Sequence, residues 1–373
     1  MKQRTDFSNV KRCVIKIGSA LLTSPDQGLD VEAMHNWVAQ IAKLKASGVD
    51  VVLVSSGSVA EGMQRLGWKK RPISLHQLQA AAAVGQMGLV RAWEGAFHEY
   101  ALHTAQILLT HDDLANRRRY LNARSTLRTL LGLGVVPVVN ENDTVSTEEI
   151  ALGDNDTLAA MASNLVEAEL LIVLTDQDGV FDKDPRTNGD ATLIAEAVAG
   201  DACLLEMAGD GGELGRGGMR SKVLAAQKAA QSGAVTVIAP GRLPEVIEKI
   251  IAGEQIGTVL WAKNERIAAR KQWLANQMQA CGALELDDGA VKVLRESGKS
   301  LLAVGVCGVA GNFSRGDLVC CVNKSGQEVA RGLANYNSQE IRKIMGQPSD
   351  RIESLLGYVD EKEIIHRDNL VVK

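Results

Sequence analysis

Six short apolar runs alternate with helix-forming stretches through the first two-thirds of the chain: CVIKI at 13–17, VVLV at 51–54, QILL at 106–109, VVPVV at 135–139, LLIVLT at 170–175 and VTVIA at 235–239. Runs that are apolar on both faces and separated by helices belong to a parallel sheet covered on each side. The pattern predicts an α/β protein, a three-layer αβα sandwich with a mainly parallel sheet. In such sheets ligands bind beyond the carboxyl ends of the strands, so the residues that follow each run should carry the chemistry. They are Gly18-Ser19, Ser55-Ser56-Gly57-Ser58, Asn140-Glu141-Asn142-Asp143 and Asp176.

At 373 residues the chain is longer than one hydrophobic core usually extends, and its texture changes near Trp261. Positions 263–278 are charged and free of Gly and Pro, and they read as a linker helix. Beyond them the runs are short and glycine-punctuated (LLAVGVCGVAGNF, DLVCCVN, VARGLANY), the pattern of a small antiparallel barrel. The expected division is 8–262, a linker at 263–278 and a β-barrel-like domain at 279–373. With 46% apolar and 23% charged residues, the composition excludes a disordered chain. A net charge of -4 excludes a nucleic-acid-binding field over the whole molecule. The six cysteines include no CxxC pair and read as reduced thiols. The charged start MKQRTDFSNVKRC and the lack of any run of about 18 apolar residues predict a cytoplasmic protein with no membrane segment.

The familiar phosphate motifs are missing. GSVAEGM at 57–63 has the GxxxxG spacing but ends in Met, and no GxGxxG follows a strand. What remains is Lys16 inside the first apolar run. Its ammonium is costly to bury unless it emerges beside an anion, and phosphate is the natural one. A structural lysine paired with a core carboxylate is the competing account. A second cluster, Gly211-Gly212 and then Gly215 through Lys222, precedes the helical VLAAQKAAQ. Glycines there let backbone N–H groups approach an anion, with Lys222 adding a mobile charge; a plain surface loop would look similar. A third cluster, Asn140, Asn142 and Asp143 followed by Gly153-Asp154-Asn155-Asp156, offers the mixed donors and acceptors an amino acid requires, although Asn and Asp also form turns. Phe181 to Arg186 could border a nucleotide base or form a loop. No histidine lies in metal-ligand spacing.

Taken in order, Val14 to Ser19, Val54 to Ala60, Val139 to Asp143, Gly153 to Asp156, Leu174 to Asp176 and Gly217 to Lys222 resemble the motifs of the amino acid kinase family. Gly311 to Asp317 resembles the barrel motif of a PUA domain. The resemblance implies that Lys16 and Lys222 grip ATP phosphates and that Asp156 orients the two lysines. It implies that Ser56, Gly57, Asn140, Asp143 and Asn155 hold the amino-acid substrate. Gly18, Ser19, Thr175, Asp176, Arg216, Gly217, Gly218, Met219, Arg220 and Ser221, with the two lysines, would contact the nucleotide. Arg216 stands where the family usually has threonine, and Arg220 where it has a small hydroxyl residue.

Acetylglutamate, aspartate and uridylate kinases share the lysine and glycine elements. The Asn-Glu-Asn-Asp stretch together with the PUA-like tail selects the members that phosphorylate the side-chain carboxylate of L-glutamate and open proline biosynthesis. The resemblance further implies Mg2+ carried with ATP, proline as a feedback inhibitor, a glutamyl phosphate reductase as partner, and a homo-oligomer. RNA binding by the tail stays open, since the tail is not strongly basic. No metal ligand is named, because ATP oxygens and water can carry the Mg2+. The glycine-rich 209–218 is the candidate lid over a labile acyl phosphate.

Overall fold

A computed structural model describes residues 4–24, 28–145, 155–208, 218–263 and 280–372. The chain divides into two compact units: residues 1–114 with 123–266, and residues 115–122 with 267–373.

The first unit is built on an eight-stranded sheet. Its strands are β1 (Arg12–Ile17), β2 (Asp50–Ser55), β3 (Thr104–Leu109), β4 (Val136–Glu141), β5 (Leu170–Thr175), β6 (Glu196–Val198), β7 (Val235–Pro240) and β8 (Thr258–Trp261), in the order β3-β4-β2-β1-β5-β7-β8-β6. The six strands from β3 to β7 are the six apolar runs, and all are parallel. At one edge β8 runs antiparallel to β7, and β6 lies parallel to β8. Nothing in the apolar-run pattern marked those two strands. β6 is three residues long and largely exposed, and β8 only four. Pro137 is tolerated inside the sheet because the ladder between β4 and β2 begins only at Val138, one residue later.

Six helices place the site: α1 (Val31–Ala46), α2 (Ser58–Arg65), α3 (Leu75–His98), α4 (Asn155–Val166), α5 (Met219–Ala230) and α6 (Val246–Ile251). Because side chains alternate along a strand, Ile15 and Ile17 face one way, with Leu53, Val138, Ile172, Leu174 and Val237. They pack there against Met34, Trp37 and Ile41 of α1, Leu89, Trp93 and Phe97 of α3, and Ile247 of α6. Each such side chain taken from water contributes about 1.5–3 kcal/mol. Lys16 therefore faces the opposite side, where α4 packs over β1, and α5 packs beside α4. The two covered faces make three layers. The chain passes from β1 to β2 on one side, then returns across β1 through α4 to reach β5 on the other. That reversal sets a crevice beside the carboxyl end of β1.

Helices α2 and α3 touch backbone to backbone. A Cβ on Gly62 would lie 1.7 Å from the Ala81 carbonyl oxygen, and one on Gly85 would lie 1.8 Å from that of Ser58. Gly57 enters α2 with a φ of 108°, a left-handed conformation that glycine adopts without strain.

Among its described residues the second unit holds five strands, β9 (Gly282–Leu286), β10 (Val306–Gly311), β11 (Leu318–Val322), β12 (Glu328–Leu333) and β13 (Leu370–Val372), in the order β10-β9-β11-β12-β13. Three of the four pairings are antiparallel, as expected, and the expectation is corrected for the fourth, because β9 and β11 are parallel. The chain leaves β9 through the helix Asp288–Ser297 and lays β10 on its far side. It can therefore re-enter beside β9 in the same direction. Leu284, Val319, Ala330, Phe313, Tyr336 and Ile341 are among the residues of the core. Leu121, from the segment 115–122, packs with Leu318 and Leu333. The predicted linker helix falls almost wholly on 264–279, outside the described residues.

Candidate active site

Lys16 is the penultimate residue of β1, Asp156 the second residue of α4 and Lys222 the fourth of α5. The carboxyl edge of the sheet brings the three together. Lys16 Nζ lies 2.6 Å from Asp156 Oδ1, and Lys222 Nζ donates to Oδ2 at 3.1 Å. Ser221 Oγ lies 2.7 Å from the same Oδ2. All three charged residues are buried, Asp156 to 1% exposure and the lysines to 5% and 6%. Burial alone would push the Asp156 carboxyl up. The ammonium charges of Lys16 and Lys222, with hydrogen bonds from Lys16 and Ser221, outweigh it and hold the carboxyl far below the usual carboxylate range. Two ammoniums on one carboxylate leave the trio with one excess positive charge. In a dry setting such an excess favours an incoming anion.

One residue earlier on α4, Asn155 organises a polar cluster. Its Nδ2 donates to Ser56 Oγ at 2.8 Å and to Asn140 Oδ1 at 2.9 Å, with the Ser55 carbonyl at 3.3 Å. Its Oδ1 is buried without a hydrogen-bond partner among the described residues. Asp143 Oδ2 accepts from Ser58 Oγ at 2.8 Å. The predicted residues Ser56, Asn140, Asp143 and Asn155 thus come from the ends of β2 and β4 and the start of α4, with Gly57 turning the chain between β2 and α2.

Gly18 donates its N–H to the Leu174 carbonyl at 3.4 Å, and Ser19 is exposed directly after it. Thr175 ends β5 and donates from Oγ1 to Asp176 Oδ1 at 3.0 Å. Gly218 precedes α5, Met219 and Arg220 begin it, and Arg220 is exposed. Arg216 and Gly217, Gly153 and Asp154, and all but the last residue of the candidate lid lie outside the described residues. The segment from Phe181 closes on itself: Arg186 donates from its backbone and guanidinium to the Asp184 carboxylate.

Several supporting residues had no signal of their own in the sequence. Gln86 Oε1 accepts from Asn140 Nδ2 at 2.8 Å, and Trp93 Nε1 donates to Ser55 Oγ at 2.8 Å. Both lie on α3, 54 and 38 positions away in sequence. Ser58 stood within a quoted motif without a role, and only its contact with Asp143 reveals one.

The amino acid kinase family matches over residues 11–239, more than half of the chain and the whole of the site. The chain belongs to the amino acid kinase family. A PUA domain follows at 282–356. This amino acid kinase is 62% identical over 370 residues to the glutamate 5-kinase of Thioalkalivibrio sulfidiphilus, covering 99% of each chain. It is 60% identical to that of Pseudomonas entomophila, covering 99% of this chain and 100% of the relative. A solved structure of UMP kinase from Bacillus anthracis shares 16% identity and a TM-score of 0.48 over 68% of this chain and 97% of its own. No helix among the described residues of the kinase is long and apolar enough to cross a membrane.

Proposed function

We infer that this amino acid kinase transfers the γ-phosphate of ATP to the side-chain carboxylate of L-glutamate, giving L-glutamyl 5-phosphate, the first step of proline biosynthesis. The convergence of Lys16 and Lys222 on the two oxygens of Asp156, one residue from the Asn155 cluster, carries this reading. Likeness to glutamate 5-kinases at about 60% identity along nearly the full chain supports the choice of acceptor.

A glutamate side chain has a reference pKa near 4.3, so at neutral pH it is already an ionised nucleophile and needs no general base. Its oxygen attacks the γ-phosphorus as the bond to the β–γ bridging oxygen breaks, and ADP leaves with that electron pair. No proton has to move. The work is positioning and charge neutralisation. Lys16 and Lys222 meet the charge on the transferred group. Asp156, locked in its ionised form, keeps both ammoniums aimed. The N-terminus of α5 adds its partial positive charge beside Gly218. Thr175, Asp176, Gly18, Ser19 and the segment 216–222 border the nucleotide.

On the acceptor side, Asp143 supplies the negative charge that an α-ammonium requires, and the buried Asn155 Oδ1 is an acceptor of matching chemistry. Ser56, Gly57 and Asn140 complete the pocket. Mg2+ enters with ATP as part of the substrate. Asp156, the carboxylate nearest the lysines, is already taken by three partners. The donor set therefore fits a metal held by phosphate oxygens and water.

An acyl phosphate hydrolyses readily, so the product passes promptly to a glutamyl phosphate reductase, and the end product proline restrains this step. The family resemblance extends the reading to a cytoplasmic homo-oligomer. The deciding experiment measures ADP release with Mg·ATP and, in turn, glutamate, acetylglutamate, aspartate and uridylate, each with and without proline. Glutamate is expected to be turned over at least tenfold better than the others. Preference for any other acceptor would overturn the assignment.

A further inference from the structure

Asn140 is 1% exposed, so each of its polar atoms has to find a partner inside the protein. Oδ1 accepts from the backbone N–H of Glu141 at 2.9 Å and from Asn155 Nδ2 at 2.9 Å. Turning this amide over would set its NH2 against two donors, so its polarity is fixed. One demand remains. Nδ2 is a buried donor, and Gln86 Oε1 is the acceptor it reaches, at 2.8 Å. The polarity passes on to Asn155, which presents its own NH2 to Asn140 and Ser56 and turns Oδ1 the other way.

The support for Gln86 is rigid. Its neighbour Gly85 brings α3 onto the backbone of α2, where a Cβ would strike the Ser58 carbonyl. Seven residues along α3, on the same helical face, the fully buried Trp93 braces Ser55, the residue before Ser56. One helix thus stands behind both strand ends of the pocket.

We propose that Gln86 is a positioning residue for glutamate binding: by accepting from Asn140 it holds the Asn140–Asn155–Ser56 chain of hydrogen bonds in the orientation that receives the amino acid. This rests on the reading of those three residues as the glutamate pocket. Without the acceptor, the buried NH2 of Asn140 is left unpaired, and any shift that relieves it weakens the bond from Asn155, whose NH2 then keeps only the Ser55 carbonyl and Ser56 Oγ. The consequence falls on glutamate and not on ATP, whose grip comes from Lys16 and Lys222.

The test is steady-state kinetics on the full-length chain with Mg·ATP and glutamate. Gln86→Met keeps a side chain of similar length without an acceptor, and Gln86→Glu keeps an acceptor. The Met variant is expected to raise the KM for glutamate about tenfold, equivalent to about 1.4 kcal/mol, with the KM for ATP within about twofold of the parent. The Glu variant should stay within about threefold of the parent for both substrates. Gln86→Ala carries the same expectation as the Met variant and replaces it should that chain not fold. An unchanged KM for glutamate without the acceptor, a parallel rise in both KM values, or a Glu variant as impaired as the Met variant would each overturn the proposal. Asn140→Ala separates the two levels. If it leaves the KM for glutamate untouched, the pocket reading falls. If it raises that KM while Gln86→Met does not, only the role of Gln86 falls.

Discussion

Asp156 is the side chain on which the chemistry turns, because it makes two buried ammoniums tolerable while leaving the trio with excess positive charge. Lys16→Ala or Lys222→Ala should lower kcat by at least about a hundredfold, on the scale of losing one aimed electrostatic donor, while the far-ultraviolet circular dichroism stays unchanged. Near-normal turnover in either variant would remove that lysine from its role. Asp156→Asn leaves two buried charges unpaired and should cost roughly 3–5 kcal/mol of stability at neutral pH. The sign with pH follows from the depressed pKa of Asp156. The unfolded chain binds this proton more readily than the folded one, so the contribution is complete above the unfolded value near 3.9 and fades as the pH falls below it. Urea midpoints of parent and variant should differ equally at pH 7 and pH 5 and approach each other toward pH 3. A gap that widens on acidification would contradict this account. The sequence reading of Lys16 offered phosphate or a core carboxylate as alternatives, and the fold shows the carboxylate pairing outright. Asp156 was quoted from a family motif, but the burial that makes it effective was invisible until α4 was laid across β1.

Among the secondary-structure elements, the six parallel strands were legible because five of them are buried on both faces and written as apolar runs, while the partly buried β3 still carries the apolar Ile107-Leu108-Leu109. The edge strand β6 and its neighbour β8 were not: β6 has three residues, two of them exposed, and β8 is only four residues long. The contact between α2 and α3 was also hidden. Glycines at 62 and 85 look like weak points in helices, and only their packing shows why a side chain is excluded: a Cβ on Gly62 would come within 1.7 Å of the Ala81 carbonyl oxygen, and one on Gly85 within 2.3 Å of the Gly62 nitrogen. Gly85→Ala should force the two helices apart, cost about 1–3 kcal/mol in overpacking and lower the melting temperature by several degrees. It should also raise the KM for glutamate, because Ser58 and Gln86 move with these helices. A variant as stable as the parent would show that the helices adapt.

Considered as a whole molecule, the protein confines its candidate chemistry to the first unit, since every predicted site residue lies between positions 16 and 222. A chain ending at Lys263 should therefore still release ADP in response to glutamate, within about tenfold of the full-length rate. It should nonetheless be less stable, because Leu121 loses Leu318 and Leu333. Loss of all activity in a folded truncation, read by circular dichroism beside the ADP assay, would place part of the chemistry in the C-terminal unit. The grouping of 115–122 with that unit could not be foreseen: Leu121 lies in the helix Arg117–Gly132 just after three arginines, and its partners are about two hundred positions away.

The order of residues along the chain was enough to specify the six parallel strands, the layer architecture, the lysine at the end of β1 and the amide-rich stretch after β4. All of these are local patterns of polarity and periodicity. Folding in three dimensions settled which groups meet: two lysines 206 positions apart on one aspartate, a glutamine behind an asparagine, and a tryptophan behind a serine. Hydrogen bonds and ion pairs act over about 3 Å, and separation along the chain carries no information at that range until the sheet and its helices set the distances.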